Sequence, residues 1–240
     1  MRETSQQNNY AQGWWLLTCI TLLAVYIAHD QRYLDAMIDA DRSYISLVII
    51  IAFIAASAHA AWHIHAISAR IDVTKNLLKG GEIQQAIEPV EQVGFEAAEQ
   101  FANQYLEALL EHKEGDNKET VARETALVLD VYADQLRNPS ETGWYLVDIL
   151  IRLGLIGTII GFIIVLNALN DGPPPTGDNI QSLLIAMSGG MGTALYTTLA
   201  GLICASILGA QHMILSRAIE YLISLLIDLK SKVVKGEALS

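Results

Sequence analysis

Two segments of this chain, Leu153 to Leu169 and Leu183 to Leu215, contain no Asp, Glu, Lys or Arg, and both are laced with glycine and threonine. Segments this apolar must be covered by protein or by lipid. The second is too long to be covered whole, since at ~1.5 Å per residue its helix would outrun a hydrocarbon core of roughly 30 Å. Its end must emerge as a helix leading into "RAIEYLISLLIDLKSK". Two more apolar blocks, Trp14–Ala28 and Tyr44–Trp62, complete the set. Only 17% of the 240 residues are charged, where soluble domains have about 25%. The expected fold is an all-α membrane protein with four transmembrane helices, the third and fourth extending into the cytoplasm.

The predicted spans cover about 14–29, 44–62, 153–169 and 183–205. The first is short of the roughly 20 residues a spanning helix needs, unless Gly13 and His29 reach the interfaces. A cleaved leader is the competing reading. Against it, Arg2 is the one basic residue upstream, Glu3 offsets it, and no small-x-small site follows in "VYIAHDQR". A retained helix is therefore expected. Tyr44 and Trp62 close the second block as an interfacial belt would, and Trp14, Trp15 and Trp144 mark interface levels in the same way.

Charge bias orients the hairpins. "HDQRYLDAMIDADR" is acidic and "NDGPPPTGDN" has no Lys or Arg, whereas Arg70, Lys75, Lys79, Arg137, Arg152, Arg217, Lys230 and Lys232 flank the opposite ends. The positive-inside rule then puts both termini in the cytoplasm. Four regions follow: an N-terminal transmembrane hairpin (1–62), a helical cytoplasmic domain (63–143), a second hairpin (144–216), and a C-terminal cytoplasmic helix and tail (217–240). Within 63–143, apolar residues recur at helical spacing. Gly80-Gly81, Gly115 and Asn138-Pro139 are expected to punctuate these helices, and Pro89 to start or kink one. Acidic residues dominate the segment, which reads either as a solvated helix face or as a docking surface for a basic element.

On a helix, Gly154, Gly157, Thr158 and Gly161 fall on one stripe, and Gly190, Ala194, Thr197, Thr198, Gly201 and Ala205 on another. In lipid, where packing and interhelical hydrogen bonds drive association, such stripes let helices approach closely. The two helices are expected to be neighbours, joined by a turn stiffened by Pro173-Pro174-Pro175. The threonines have two readings: a hydroxyl bonded to a carbonyl one turn back, or a polar path between helices. Ion movement through lipid normally needs an ionisable group, and these two segments offer none of the four charged side chains. If they serve ion flow, another chain must supply the carboxylate.

The formal net charge of −11 argues against nucleic-acid binding. Cys19 and Cys204 lie in apolar blocks and suggest packing rather than a disulfide or a metal site. His59, His63 and His65 lack a carboxylate or cysteine to complete a metal set and read as interfacial. Asp148 and Arg152 are spaced to pair on one helix face. With no nucleotide loop and no nucleophile–base constellation, neither enzymatic activity nor a cofactor is expected.

"LGLIGTIIGF" and "GMGTALYTTLAGLICA", in this order and with a short loop between them, resemble the MotA/TolQ/ExbB proton-channel family over about residues 144–216. The four-span layout is closer to MotA, and the spelling of the motifs to TolQ and ExbB. The resemblance implies a homopentameric ring in the bacterial inner membrane around a dimer of a single-span MotB/TolR/ExbD-like partner. That partner would carry an ion-binding aspartate, and the ring would rotate as ions pass. Thr158 and Thr198 match the family threonines lining the ion path, with Gly154, Gly157, Gly161, Gly190, Ala194 and Gly201 packing the helices around the partner. Two positions depart from TolQ and ExbB: Thr193 stands in place of a glutamate, and Ile207 in place of a proline. The cargo is expected to be the proton, although hydroxyls at Thr193 and Thr197 leave sodium open, because hard oxygen ligands suit a metal cation. The alternative to an ion-driven motor is a non-conducting scaffold that recruits cytoplasmic partners.

Overall fold

The computed structural model describes residues 9–41, 43–78, 100–101, 103–105, 107, 118–170 and 180–235. Its helices are α1 (Asn9–Asp30), α2 (Tyr33–Ala40), α3 (Ile45–Leu78), α4 (Lys118–Asn170) and α5 (Ile180–Lys235). Residues 100–101, 103–105 and 107 are helical too, and no strand occurs among the described residues. Helices α1, α3, α4 and α5 are each long and apolar enough to cross a membrane. Gly80-Gly81, Pro89, Gly115, most of the acidic stretch before Lys118 and the Pro173-Pro174-Pro175 turn lie outside the described residues.

The chain divides into two compact units. The first is Met1–Trp14, Ala60–Thr142 and His212–Ser240; the second is Trp15–His59 and Gly143–Gln211. In the first unit, Ile64, Ile67 and Ile71 of α3 meet Ala133 and Leu136 of α4 and Leu215, Ile219, Leu222, Leu226 and Leu229 of α5. The spacing by three and four residues is what one buried face of each helix requires. Trp14 is buried in this core, whereas Trp15, Trp62 and Trp144 are exposed. The Tyr105 hydroxyl donates to the Leu226 carbonyl at 3.2 Å, and its ring meets Tyr132 edge-on at 5.1 Å. Burial, with the nearby Tyr132, pushes the Tyr105 hydroxyl well above its ordinary pKa.

Asn138-Pro139 does not end a helix, contrary to the sequence expectation: α4 runs through Pro139 without a break. An interior proline costs about 3 kcal/mol or more, through a lost hydrogen bond and a ring clash. Contacts hold the helix on both sides of the proline. Leu136 is buried, Arg137 Nε reaches Glu220 Oε1 at 3.0 Å, and Ser140 Oγ lies 2.6 Å from Ser216 Oγ.

The second unit has its own core, built from Met37, Ile49, Ala56, Leu150, Ala200, Ala205 and Leu208. Only 6% of the α1 span is buried, against 39% of the α5 span, so α1 has the least protein cover. The acidic connection between α1 and α3 is not all loop, because it contains α2, whose Met37 joins the core. Asp41 then organises the start of α3. Its Oδ1 accepts from the Ser43 amide at 2.9 Å and from the Ser43 hydroxyl at 2.6 Å, and its Oδ2 accepts from the Ser46 amide at 2.7 Å. These bonds hold the exposed Tyr44 at a left-handed φ of 58°, an uncommon conformation for a bulky residue.

Burial alone would raise the Asp41 pKa, but the bonds from Ser43 and Ser46 outweigh it and hold the carboxyl below its ordinary 3.8. A depressed folded pKa stabilises at every pH above the unfolded value and is lost as the pH falls through the folded one. Thermal unfolding in detergent should therefore show an Asp41-dependent loss of stability that begins only below about pH 4. Asp41→Ala should remove about 1 kcal/mol at neutral pH, the usual value of a helix cap. An unchanged melting temperature would exclude this role.

Candidate functional site

The small-residue stripes of α4 and α5 face each other in the second unit. A Cβ at Gly161 would lie 2.6 Å from the Ala194 nitrogen and 2.7 Å from the Gly190 carbonyl oxygen. One at Gly201 would lie 2.8 Å from the Leu150 carbonyl oxygen, and one at Gly190 would lie 2.9 Å from the Gly161 carbonyl oxygen. At Gly157 a Cβ would overlap the Thr197 side chain. The helices meet backbone to backbone, and each of these positions requires the absence of a side chain. The other faces, with Leu155, Ile156, Ile159, Phe162 and Ile163 on α4 and Leu195, Leu199 and Leu202 on α5, are exposed. The glycines thus make a contact within one chain.

The four threonines separate into two pairs. Thr197 is fully buried against Gly157, and its hydroxyl donates to the Thr193 carbonyl at 2.8 Å or the Ala194 carbonyl at 3.1 Å. Thr193 is equally buried. Its hydroxyl reaches the Ala40 carbonyl at the end of α2 at 2.7 Å, with the Gly189 carbonyl at 3.1 Å. The approach does not depend on Gly192, since a Cβ there would meet the Ala40 Cβ at 3.5 Å, an ordinary contact distance. Thr193 therefore ties α2 to α5. Thr193→Val should lower stability by about 1 kcal/mol, the net worth of one hydrogen bond; a melting curve within error of the wild type would refute this.

Thr158 and Thr198 are only half-buried. Thr158 Oγ1 donates to the Leu155 carbonyl at 2.5 Å. Thr198 Oγ1 donates to the Gly154 carbonyl on the neighbouring helix at 3.1 Å, or to Ala194 of its own helix at 3.2 Å. Gly154 and Leu155 are successive residues of α4, so the acceptor carbonyls of the two hydroxyls differ by ~1.5 Å in rise along that helix. This shared level could not be read from helix periodicity, which treats the two helices separately. Ala40, Asp41 and Leu150 were also missed. An Asp just ahead of an apolar run is, however, an N-terminal helix signal, and it could have flagged Asp41.

Other candidate groups are placed apart from this pair. Arg152 and Asp148 form an i, i+4 ion pair at 2.5 Å. Cys19 and Cys204 are free thiols. Among the described residues, no three His, Cys, Asp or Glu side chains are grouped to hold a metal, and His59, His63 and His65 form no such set.

Four helices long and apolar enough to cross a membrane, two of them joined through facing glycines, mark a multi-pass membrane protein. The profile of the MotA/TolQ/ExbB proton channel family matches residues 95–226. The match covers more than half of the chain, and the protein belongs to that family. No curated protein and no solved structure matches it.

Proposed function

We propose that the protein is the ring subunit of a proton-driven motor in a bacterial inner membrane, with both termini cytoplasmic. Five copies surround a dimer of a single-span partner of the MotB/TolR/ExbD type, and protons passing the partner's aspartate drive rotation or force. One observation carries this reading: Thr158 and Thr198 present half-exposed hydroxyls at one level of a helix pair that has no Asp, Glu, Lys or Arg from Leu153 to Leu169 or from Leu183 to Ser216. Such a site can contact a carboxyl but cannot supply one, so conduction needs a second chain. The proton is favoured over sodium because the hydroxyls that would enlarge a metal site, Thr193 and Thr197, are fully buried and bonded to carbonyls.

The test is co-purification with the single-span partner from the native membrane, followed by reconstitution into vesicles holding a pH-sensitive dye. Proton uptake should require both chains and disappear when the partner's intramembrane aspartate becomes asparagine. Uptake by this chain alone, or none by the complex, would reject the proposal.

A further inference from the structure

We infer that the face of α4 carrying Asp148 and Arg152 lines a water-filled vestibule that opens to the cytoplasm and reaches the middle of the bilayer. The inference takes its membrane orientation from the motor reading above and adds how far water penetrates beside α4. The depth of the pair follows from its neighbours in the second unit. On the outer side, α2 ends where the Ala40 carbonyl meets Thr193 of α5, and the residue just before Ala40 is the exposed Asp39. Exposed charge does not sit in hydrocarbon, and the exposed rings of Tyr33 and Tyr44 on the same connection suit an interface. On the inner side, the exposed Trp144 stands beside Gly209, its ring 3.9 Å from where a Cβ there would lie. Gly209 is 16 residues beyond Thr193, a rise of ~24 Å, close to the roughly 30 Å of a hydrocarbon core.

Asp148 and Arg152 lie midway between these two levels. The carbonyl of Leu150, between them on α4, is 2.8 Å from where a Gly201 Cβ would lie. Gly201 is eight residues from both Thr193 and Gly209, ~12 Å from either side. Leu150 also shares a core with Ile49 and Ala56 of α3, inside a run with no Asp, Glu, Lys or Arg from Ser43 to Ala69. Yet the two charged side chains are not tucked into the protein: they pair with each other and stay 47% and 69% exposed. A charge at this depth faces a bundle interior or a water-filled cavity, not lipid. Since the chain leaves the pair open, other chains of the assembly wall the cavity. Further out on the same stripe of α4, Leu155, Ile159 and Phe162 are exposed and apolar. Water therefore enters from the cytoplasmic end and stops at Arg152, and six residues, ~9 Å of helix, separate it from Thr158.

The measurement is the accessibility of nitroxide labels in vesicles holding the complex with its native single-span partner. Asp148→Cys and Arg152→Cys place the labels, and Val48→Cys and Ile51→Cys on the exposed face of α3 serve as lipid references. Cys19 and Cys204, both free thiols, are replaced by alanine throughout. At 148 and 152 a water-soluble nickel chelate should relax the label more than oxygen does, and at 48 and 51 the order should reverse. Oxygen prevailing at 152, or neither reagent reaching it, would overturn the inference. If the cysteine variants do not assemble, the unaltered complex decides. A membrane-impermeant arylglyoxal on the cytoplasmic face should modify Arg152 as well as the exposed Arg217, and an unmodified Arg152 beside a modified Arg217 would overturn the vestibule. Vesicle uptake keeps the two readings apart. Proton uptake with a dry Arg152 would leave the motor and remove the vestibule, and a wet Arg152 without uptake would do the opposite.

Discussion

Replacing Thr158 and Thr198 together by valine should leave a folded protein whose complex passes protons one to two orders of magnitude more slowly. Valine keeps the branched shape, so neither the glycine contacts nor the exposed apolar faces change. What is lost are two hydroxyls, each contributing about 1 kcal/mol or slightly more to a bound carboxyl, and about 1.4 kcal/mol is a factor of ten. Thr198→Val also removes the bond to the Gly154 carbonyl across the helix pair. Interhelical bonds of this kind average about 0.6 kcal/mol in a membrane, so the melting temperature should fall only slightly. Initial proton uptake by vesicles of matched protein content is the measurement. Wild-type rates in the double variant would remove these residues from the path.

Substitution of the facing glycines should act through assembly and by a larger amount. A methyl at Gly161 meets the backbone of Gly190 and Ala194, which cannot rotate away, and one at Gly154 meets α5 backbone more loosely, at 3.3 Å. Gly161→Ala should therefore cost more than Gly154→Ala. Gly161→Leu should exceed the usual 1–3 kcal/mol of overpacking, separating α4 from α5 and abolishing proton uptake. Gly13, which has nothing within 4 Å, is the control. Gly13→Ala adds helix propensity of roughly 0.5–1 kcal/mol without a clash. Thermal unfolding in detergent ranks the four variants, and equal melting temperatures for Gly161→Ala and Gly13→Ala would contradict the packing described above.

Much of the fold was legible because membrane spans are written in composition. Where lipid offers no hydrogen bonds, a long apolar stretch has little choice but helix, and the glycine stripes of α4 and α5 followed from helical geometry. Three features were harder to read. Local preference opposes an interior proline, so Pro139 reads as a break, and the contacts beside it come from Glu220 and Ser216, far away in sequence. Helix α2 was hidden in an acidic connection, since much of what holds it is the burial of Met37 and the bond from Thr193 to Ala40. Thr193 and Thr197 looked as accessible as Thr198, although Thr197 lies under Gly157.

The sequence alone determined that this chain has four apolar helices, two glycine-lined faces and no intramembrane acid in the second pair. Each of these is a property of one segment and its solvent. Tertiary structure alone decided which hydroxyls remain open, because period 3.6 assigns a residue an angle on its own helix and says nothing of what covers that angle. The crossing of α4 and α5 buries Thr197, α2 claims Thr193, and adjacent carbonyls of a single turn bring Thr158 and Thr198 to one level.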